Sequence, residues 1–302
     1  MKIWLVLLSY DTTETLLKLK NHAINQIIKR AITVSPKTTL LDARSMLLRH
    51  RISRLVVMEN GKPVGIITEK DLVKTIYRID GKSIENVRVS EIVAKRLITI
   101  TEDSTLYDCA RLMLNNKISS IIVLQKDGNL SGIITKTDLI SVFLTQAAES
   151  LKISKIMTRP VITVKPADSL LYVESVLMKN RISRVVVSRN RKPVGIITHR
   201  DFIPAKIPLW LRQFGDPKEI ERYRMAENPT EFKSNQLNYL VAFIAADIMT
   251  PNPVTIDATE DVSEASLLMI RHGISGLPVV RNSLLVGIIT KTDIVKAISI
   301  DN

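Results

Sequence analysis

The chain has 302 residues, 45% hydrophobic and 24% charged, a globular composition long enough for about two domains, which excludes a disordered or fibrous protein. Its single cysteine, Cys109, excludes an intramolecular disulfide and a cysteine-built metal cluster, so a reducing, cytoplasmic setting fits. The net charge of +13 raises the question of a polyanionic partner.

Residues 1–26 open with MKIWLVLLSY, an apolar run too short to span a bilayer and lacking a small-residue cleavage site, so it is expected to pack on the core and not to enter a membrane. In 27–88, AITVSP (31–36) alternates like a strand, and 38–51 carries apolar residues at helical spacing behind threonine caps. SRLVVM (53–58) is a buried strand, ENGKP a hairpin turn, VGIIT (64–68) a strand and EKDLVKTIYR (69–78) a helix. The order β-α-β-β-α returns in 89–150, where Cys109 sits at helical spacing in TLYDCARLML as a core thiol. A third copy occupies 151–204, and Pro204 and Pro208 stop its last helix. The stretch 205–245 interrupts the period. With its flanks it holds Trp210, Phe214, Tyr223, Phe232, Tyr239 and Phe243, six of the chain's thirteen aromatics, yet 203–243 has a net charge of only +1. A helical insertion covering a module interface, a partner or ligand lid, and a nucleic-acid surface are the readings open for it. The fourth copy fills 246–302.

Four copies of a unit near sixty residues make the repeat the main organisational fact. One phrase marks each: GKPVGIITEKDL (61–72), GNLSGIITKTDL (128–139), RKPVGIITHRDF (191–202) and SLLVGIITKTDI (283–294). It ends a strand at Thr68, Thr135, Thr198 or Thr290 and places Asp71, Asp138, Asp201 or Asp293 in the first turn of the next helix. A helix start offers unpaired amides and the positive end of its dipole to an anion, and a carboxylate there can accept from two neighbouring ribose hydroxyls. Thr-x-x-Asp is equally a capping box, and the two readings are compatible.

The copies alternate. The first and third share RISRLVV/RISRVVV and KPVGIIT, whereas the second and fourth share GIITKTD and carry Ser120 and Gly276 where the others have Arg54 and Arg184. Net charge follows the same A-B-A′-B′ order: +6 over 27–80, 0 over 89–148, +7 over 153–202 and −3 over 246–302. The pair is therefore the working unit, with a boundary near 147–153.

On the Gly-x-x-Thr-x-x-Asp phrase, the Ile-Ser strand and the openings IMTRPVITV (156–164) and IMTPNPVTI (248–256), the chain resembles proteins with four cystathionine-β-synthase (CBS) domains. The resemblance implies an α/β fold in which CBS domains pair sheet to sheet into two Bateman modules with clefts for adenosyl ligands. It also implies that the modules can form a disc, as in the gamma subunit of the AMP-activated protein kinase. That subunit has Arg at the place of Arg54 and Arg184 in some repeats, contacting nucleotide phosphate, a role the planar guanidinium fork suits. A solvated surface arginine is the other reading. Lys70 and Arg200, before the repeat Asp, are further phosphate candidates, and Thr137 and Thr292 offer hydroxyls at the same place.

No P-loop, Gly-x-Gly-x-x-Gly, nucleophile elbow or metal-ligand spacing accompanies the repeats, and His22, His50, His199 and His272 are scattered, so neither a catalytic residue nor a metal or required cofactor is expected. The function expected is a non-catalytic sensor that binds AMP, ADP, ATP or a related adenosyl ligand and signals to a protein partner, with a homodimer compatible. The alternative is a basic nucleic-acid-binding protein on a CBS scaffold.

Overall fold

In the first repeat the core follows from spacing. Leu40, Ala43 and Leu47 line the inner face of α1 (Leu40–Arg49), whose start is capped by Thr39 accepting from the Asp42 amide at 3.0 Å. Leu55, Val56 and Val57 bury the middle of β2 (Arg54–Glu59). That strand pairs in parallel with β1 (Thr33–Val34) and antiparallel with β3 (Lys62–Thr68), and α2 (Glu69–Ile76) follows. The hairpin turns on Asn60 and Gly61, with φ of 50° and 77°, the left-handed pair that a two-residue turn with strand-matched twist requires. The strand expected over 31–36 is only two residues long, because Ser35 accepts from the Thr38 amide and closes a turn around Pro36, which has no N–H to give a ladder.

This computed structural model describes residues 21–76, 86–93, 97–146, 151–202 and 243–299. The second repeat contributes β4 (Thr99–Thr101), α3 (Leu106–Asn115), β5 (Ser120–Leu124), β6 (Leu130–Thr135) and α4 (Lys136–Gln146). The third has α5 (Ile153–Ile156), β7 (Thr163–Val164), α6 (Leu170–Lys179), β8 (Arg184–Arg189), β9 (Lys192–Thr198) and a 3₁₀ turn at His199–Phe202. The fourth has α7 (Ala245–Ile248), β10 (Thr250–Pro251), β11 (Ile256–Asp257), α8 (Val262–Arg271), β12 (Gly276–Arg281), β13 (Leu284–Thr290) and α9 (Lys291–Ile298). Each repeat has its own small sheet of the same topology. The opening apolar segment and Trp210, Phe214, Tyr223, Phe232 and Tyr239 lie outside the described residues. Phe243 packs on the third repeat's core, its carbonyl accepting from the Leu170 amide at 3.0 Å. Cys109 is fully buried, which pushes its thiol up to about 12. Among the described residues no helix is long and apolar enough to cross a membrane.

Pairing is made by segments that lead into one repeat and lie on the sheet of its partner, as the described residues show for the first, third and fourth repeats. Lys29, ahead of β1 in the first repeat, trades two backbone hydrogen bonds with Ile133 on β6 of the second (3.1 and 2.9 Å); Thr158, ahead of β7 in the third, does the same with Ile288 on β13 of the fourth (2.9 and 3.2 Å). In the reverse direction β10 of the fourth lies antiparallel on β9 of the third, Thr250 opposite Ile196. Val56, Ile122 and Ile133 form a buried cluster joining the sheets of the first two repeats. The two pairs then meet through helices. α4 packs against α8 and α9, and α3 against α9, in one apolar core that includes Leu139, Phe143, Met269 and Ile294, while α2 meets the His199–Phe202 turn. The repeats thus contact in the cycle first, second, fourth, third.

The exchange explains the repeated glycine. A Cβ on Gly132 would lie 2.4 Å from the Lys29 carbonyl oxygen, one on Gly195 2.3 Å from Met249 Sδ, and one on Gly287 2.2 Å from Met157 Sδ. The glycines are flat places on which the partner's leading segment rests. Gly132→Ala should therefore cost about 2–3 kcal/mol, since it strikes backbone, and Gly287→Ala less, since a methionine end can swing aside. Equal losses in denaturant unfolding of the two variants would contradict this account.

Candidate functional site

At all four strand ends the threonine and aspartate close on each other. Thr68 donates from Oγ1 (2.6 Å) and its amide (3.0 Å) to Asp71 Oδ2. Thr135 does so to Asp138 Oδ2 at 2.6 and 2.8 Å, Thr198 to Asp201 Oδ2 at 2.8 and 2.7 Å, and Thr290 to Asp293 Oδ2 at 2.6 and 2.9 Å. The aspartate half of a capping box is present at all four, with the return bond from the Asp amide at Asp71 and Asp293, and it always spends the same oxygen. That division leaves Oδ1 as the oxygen through which each carboxylate can meet anything else. Asp138 Oδ1 faces the Lys29 ammonium at 2.6 Å; Asp293 Oδ1 accepts from Thr158 Oγ1 at 3.0 Å, with Lys296 Nζ at 3.6 Å. Asp138, Asp201 and Asp293 are buried and Asp71 is half-buried.

The residue that begins the second long strand of each repeat sits opposite the repeat threonine: Arg54 opposite Thr68, Ser120 opposite Thr135, Arg184 opposite Thr198 and Gly276 opposite Thr290. Both arginines are half-buried and reach across to the paired repeat. Arg54 Nη1 donates to the Ser119 carbonyl at 2.8 Å, and Arg184 Nη1 lies where a Cβ on Gly276 would come within 2.6 Å. The small residues of the B repeats make room for the arginines of the A repeats, so the alternation seen in the sequence is one interlocking arrangement.

Two lysines complete the group, and the sequence reading did not single them out. Lys136 and Lys291 open α4 and α9 and cross between the second and fourth repeats, Lys136 Nζ donating to Thr292 Oγ1 and Lys291 Nζ to Thr137 Oγ1, both at 2.9 Å. Burial brings each ammonium down to about 8, and Arg184 and Arg54 press in the same direction. Asp293 opposes the shift at Lys136 and Asp138 at Lys291. A cation in the first turn also faces the positive end of the helix dipole. The available signal was the residue after the repeat threonine: lysine in both B repeats, Glu69 and His199 in the A repeats.

Of the other expected contacts, Thr137 and Thr292 are at this seam, each hydroxyl accepting from a lysine. Lys70 is exposed on α2, and the Arg200 side chain lies outside the described residues.

The family model for the CBS domain matches residues 24–78, 89–145, 153–207 and 245–300. Protein MJ1225 of Methanocaldococcus jannaschii is 28% identical over 286 residues, 89% of this chain and 95% of that protein. MJ1404 of the same organism is 27% identical, and this chain spans 62% of it. The crystal structure of MJ1225, described as a proposed archaeal homologue of g-AMPK, superposes with a TM-score of 0.72 at 25% identity, covering 91% of this chain and 99% of that one. A conserved protein of Pyrococcus horikoshii shares the fold at a TM-score of 0.61 and 21% identity, over 91% of this chain and 99% of that one. With four matched repeats, three folded as a β-α-β-β-α unit and the third closing its described part on a 3₁₀ turn, and joined in pairs, this chain belongs to the CBS domain family.

Proposed function

We propose that the chain is a non-catalytic sensor of adenine nucleotides, AMP, ADP or ATP, that signals their presence to a protein partner. The observation that carries this reading is the seam where all four repeats meet. Arg54 and Arg184 from the A repeats and Lys136 and Lys291 from the B repeats are half-buried together, and the lysine charges are disfavoured by burial and by one another's neighbours. Four cations so placed outweigh the effect of Asp138 and Asp293 on the lysines, and a small anion of high charge would relieve them, the guanidinium forks and ammonium groups sharing its oxygens. The ribose of the same ligand would rest on Oδ1 of Asp71, Asp201 or Asp293, beside helix starts that favour negative charge. Lys70, Arg200 and the hydroxyls of Thr137 and Thr292 are further phosphate contacts in this reading. Similarity over most of the chain to a proposed archaeal homologue of g-AMPK supports it.

Signalling follows from location. A ligand whose phosphates bridge cations on different repeats binds one arrangement of the ring better than another, and shifts it by that difference in affinity. Thermal unfolding of nucleotide-free protein with AMP, ADP, ATP, S-adenosylmethionine, GTP and an oligonucleotide is the test. A ligand at about a hundred times its Kd should add roughly 2.7 kcal/mol. Stabilisation by the oligonucleotide alone, steeply lost with salt, would favour the nucleic-acid alternative; stabilisation by none would end the sensor reading.

A further inference from the structure

The four strand-end carboxylates are not alike in what already meets them. Lys29 is held by two backbone hydrogen bonds to Ile133, so its side chain starts from a fixed point at the edge of β6 and ends with Nζ 2.6 Å from Asp138 Oδ1, an ion contact without well-directed hydrogen-bond geometry. Asp138 is only 3% exposed, and its other oxygen is committed to Thr135. The pseudo-equivalent place in the other module holds Thr158, tied in the same way to Ile288, with a neutral hydroxyl 3.0 Å from Asp293 Oδ1 and an ammonium, that of Lys296, farther off at 3.6 Å on the same helix. At Asp71 no described residue other than Thr68 bonds the carboxylate.

From this comparison we infer that Lys29, whose side chain is itself 67% exposed, caps the Asp138 carboxylate from the solvent side, closing it to ribose and leaving the first module with one nucleotide site, at Asp71, where the nucleotide reading provides two. The inference rests on the nucleotide reading above. A neutral ribose hydroxyl offers a buried carboxylate a hydrogen bond; the ammonium offers a full opposite charge at close range, and it is attached to the chain at high effective concentration. Ribose can exchange places with the Thr158 hydroxyl on Asp293, one neutral donor for another. It cannot match Lys29 on Asp138. One residue in a leading segment thereby sets how many ligands the chain counts.

Isothermal titration of the full nucleotide-free chain with AMP, at a concentration that saturates wild type, reads the stoichiometry. Lys29→Thr, which copies Thr158, should bind one more equivalent than wild type, and Lys29→Ala should do the same should the threonine variant fail to fold. Adding Asp138→Asn to either should weaken the gained site at least tenfold, enough to remove it from the titration. An unchanged stoichiometry in a folded Lys29 variant would overturn the inference while leaving the sensor reading intact. So would a drop in affinity at the existing sites without a new one, which would mean that Lys29 serves bound phosphate. Binding of AMP to neither wild type nor variants would overturn both.

Discussion

Replacing Lys136 and Lys291 together by methionine is expected to raise the melting temperature of the ligand-free protein and to reduce its preference for AMP over adenosine. Each ammonium is half-buried at a helix start with two guanidinium groups near it, and its folded pKa falls from 10.5 to about 8. One pKa unit is worth about 1.4 kcal/mol, so keeping both charged at pH 7 costs on the order of 2 kcal/mol each once residual solvation is allowed for. Methionine retains the length and removes the charge, and the half-buried Thr137 and Thr292 hydroxyls can turn to water. A gain of a few kcal/mol corresponds to several degrees. The pH dependence has a definite sign. Between about 8 and 10.5 the unfolded lysines hold protons that the folded ones have released, so wild-type stability climbs with pH through that window, and the double variant lacks the climb. AMP affinity runs the other way, falling above pH 8 as the phosphate loses its cations, and binding at pH 8 draws protons from buffer. A double variant that melts earlier than wild type and distinguishes AMP from adenosine as well as wild type does would show that the lysines are there for the interface.

How much of this was open to reading along the chain depends on range. The β-α-β-β-α order, the four phrases and the A-B alternation are local patterns and appear in the structure, apart from a first strand shortened to Thr33–Val34 and a 3₁₀ turn at His199–Phe202 where the third repeat's last helix was expected. The capping box was legible for the same reason, since Thr68 and Asp71 are three residues apart and must meet if the helix forms. What could not be read were contacts made by segments too short to have a period. Lys29 and Thr158 join another repeat's sheet through a single bridge each, with no alternation to announce it. The glycine of the phrase gave no hint that its missing side chain is filled by the partner's backbone or methionine. Lys136 and Lys291 look like ordinary lysines at the start of a surface helix; only the ring of four repeats turns that surface inward. Arg54 and Arg184 lay between these cases, flagged by their place at the head of a buried strand, with their reach across to Ser119 and Gly276 visible only in three dimensions.

Those arginines give the second large effect. Arg184→Ala should weaken AMP and ATP by about ten- to a hundredfold at the site it serves, the equivalent of one charge-assisted hydrogen bond of roughly 1.5–3 kcal/mol, while adenosine should lose far less. Arg54→Ala should act the same way in the first module, with an added cost in stability, because its guanidinium also satisfies the Ser119 carbonyl at 2.8 Å. Lysine at either position should recover only part of the loss, since an ammonium cannot present two parallel donors to a phosphate. The packing offers an independent check through the partner residue. Gly276→Ser places a side chain where Arg184 Nη1 now lies, 2.6 Å from the new Cβ, and should displace the arginine and reproduce part of the Arg184→Ala phenotype without altering the arginine itself. Competition titrations of AMP against adenosine decide the matter. If both arginine variants lose adenosine and AMP by the same factor, the two side chains hold the paired repeats together and read no phosphate. If AMP alone is lost, and Gly276→Ser follows Arg184→Ala, the interlock between A and B repeats is also the phosphate-reading device.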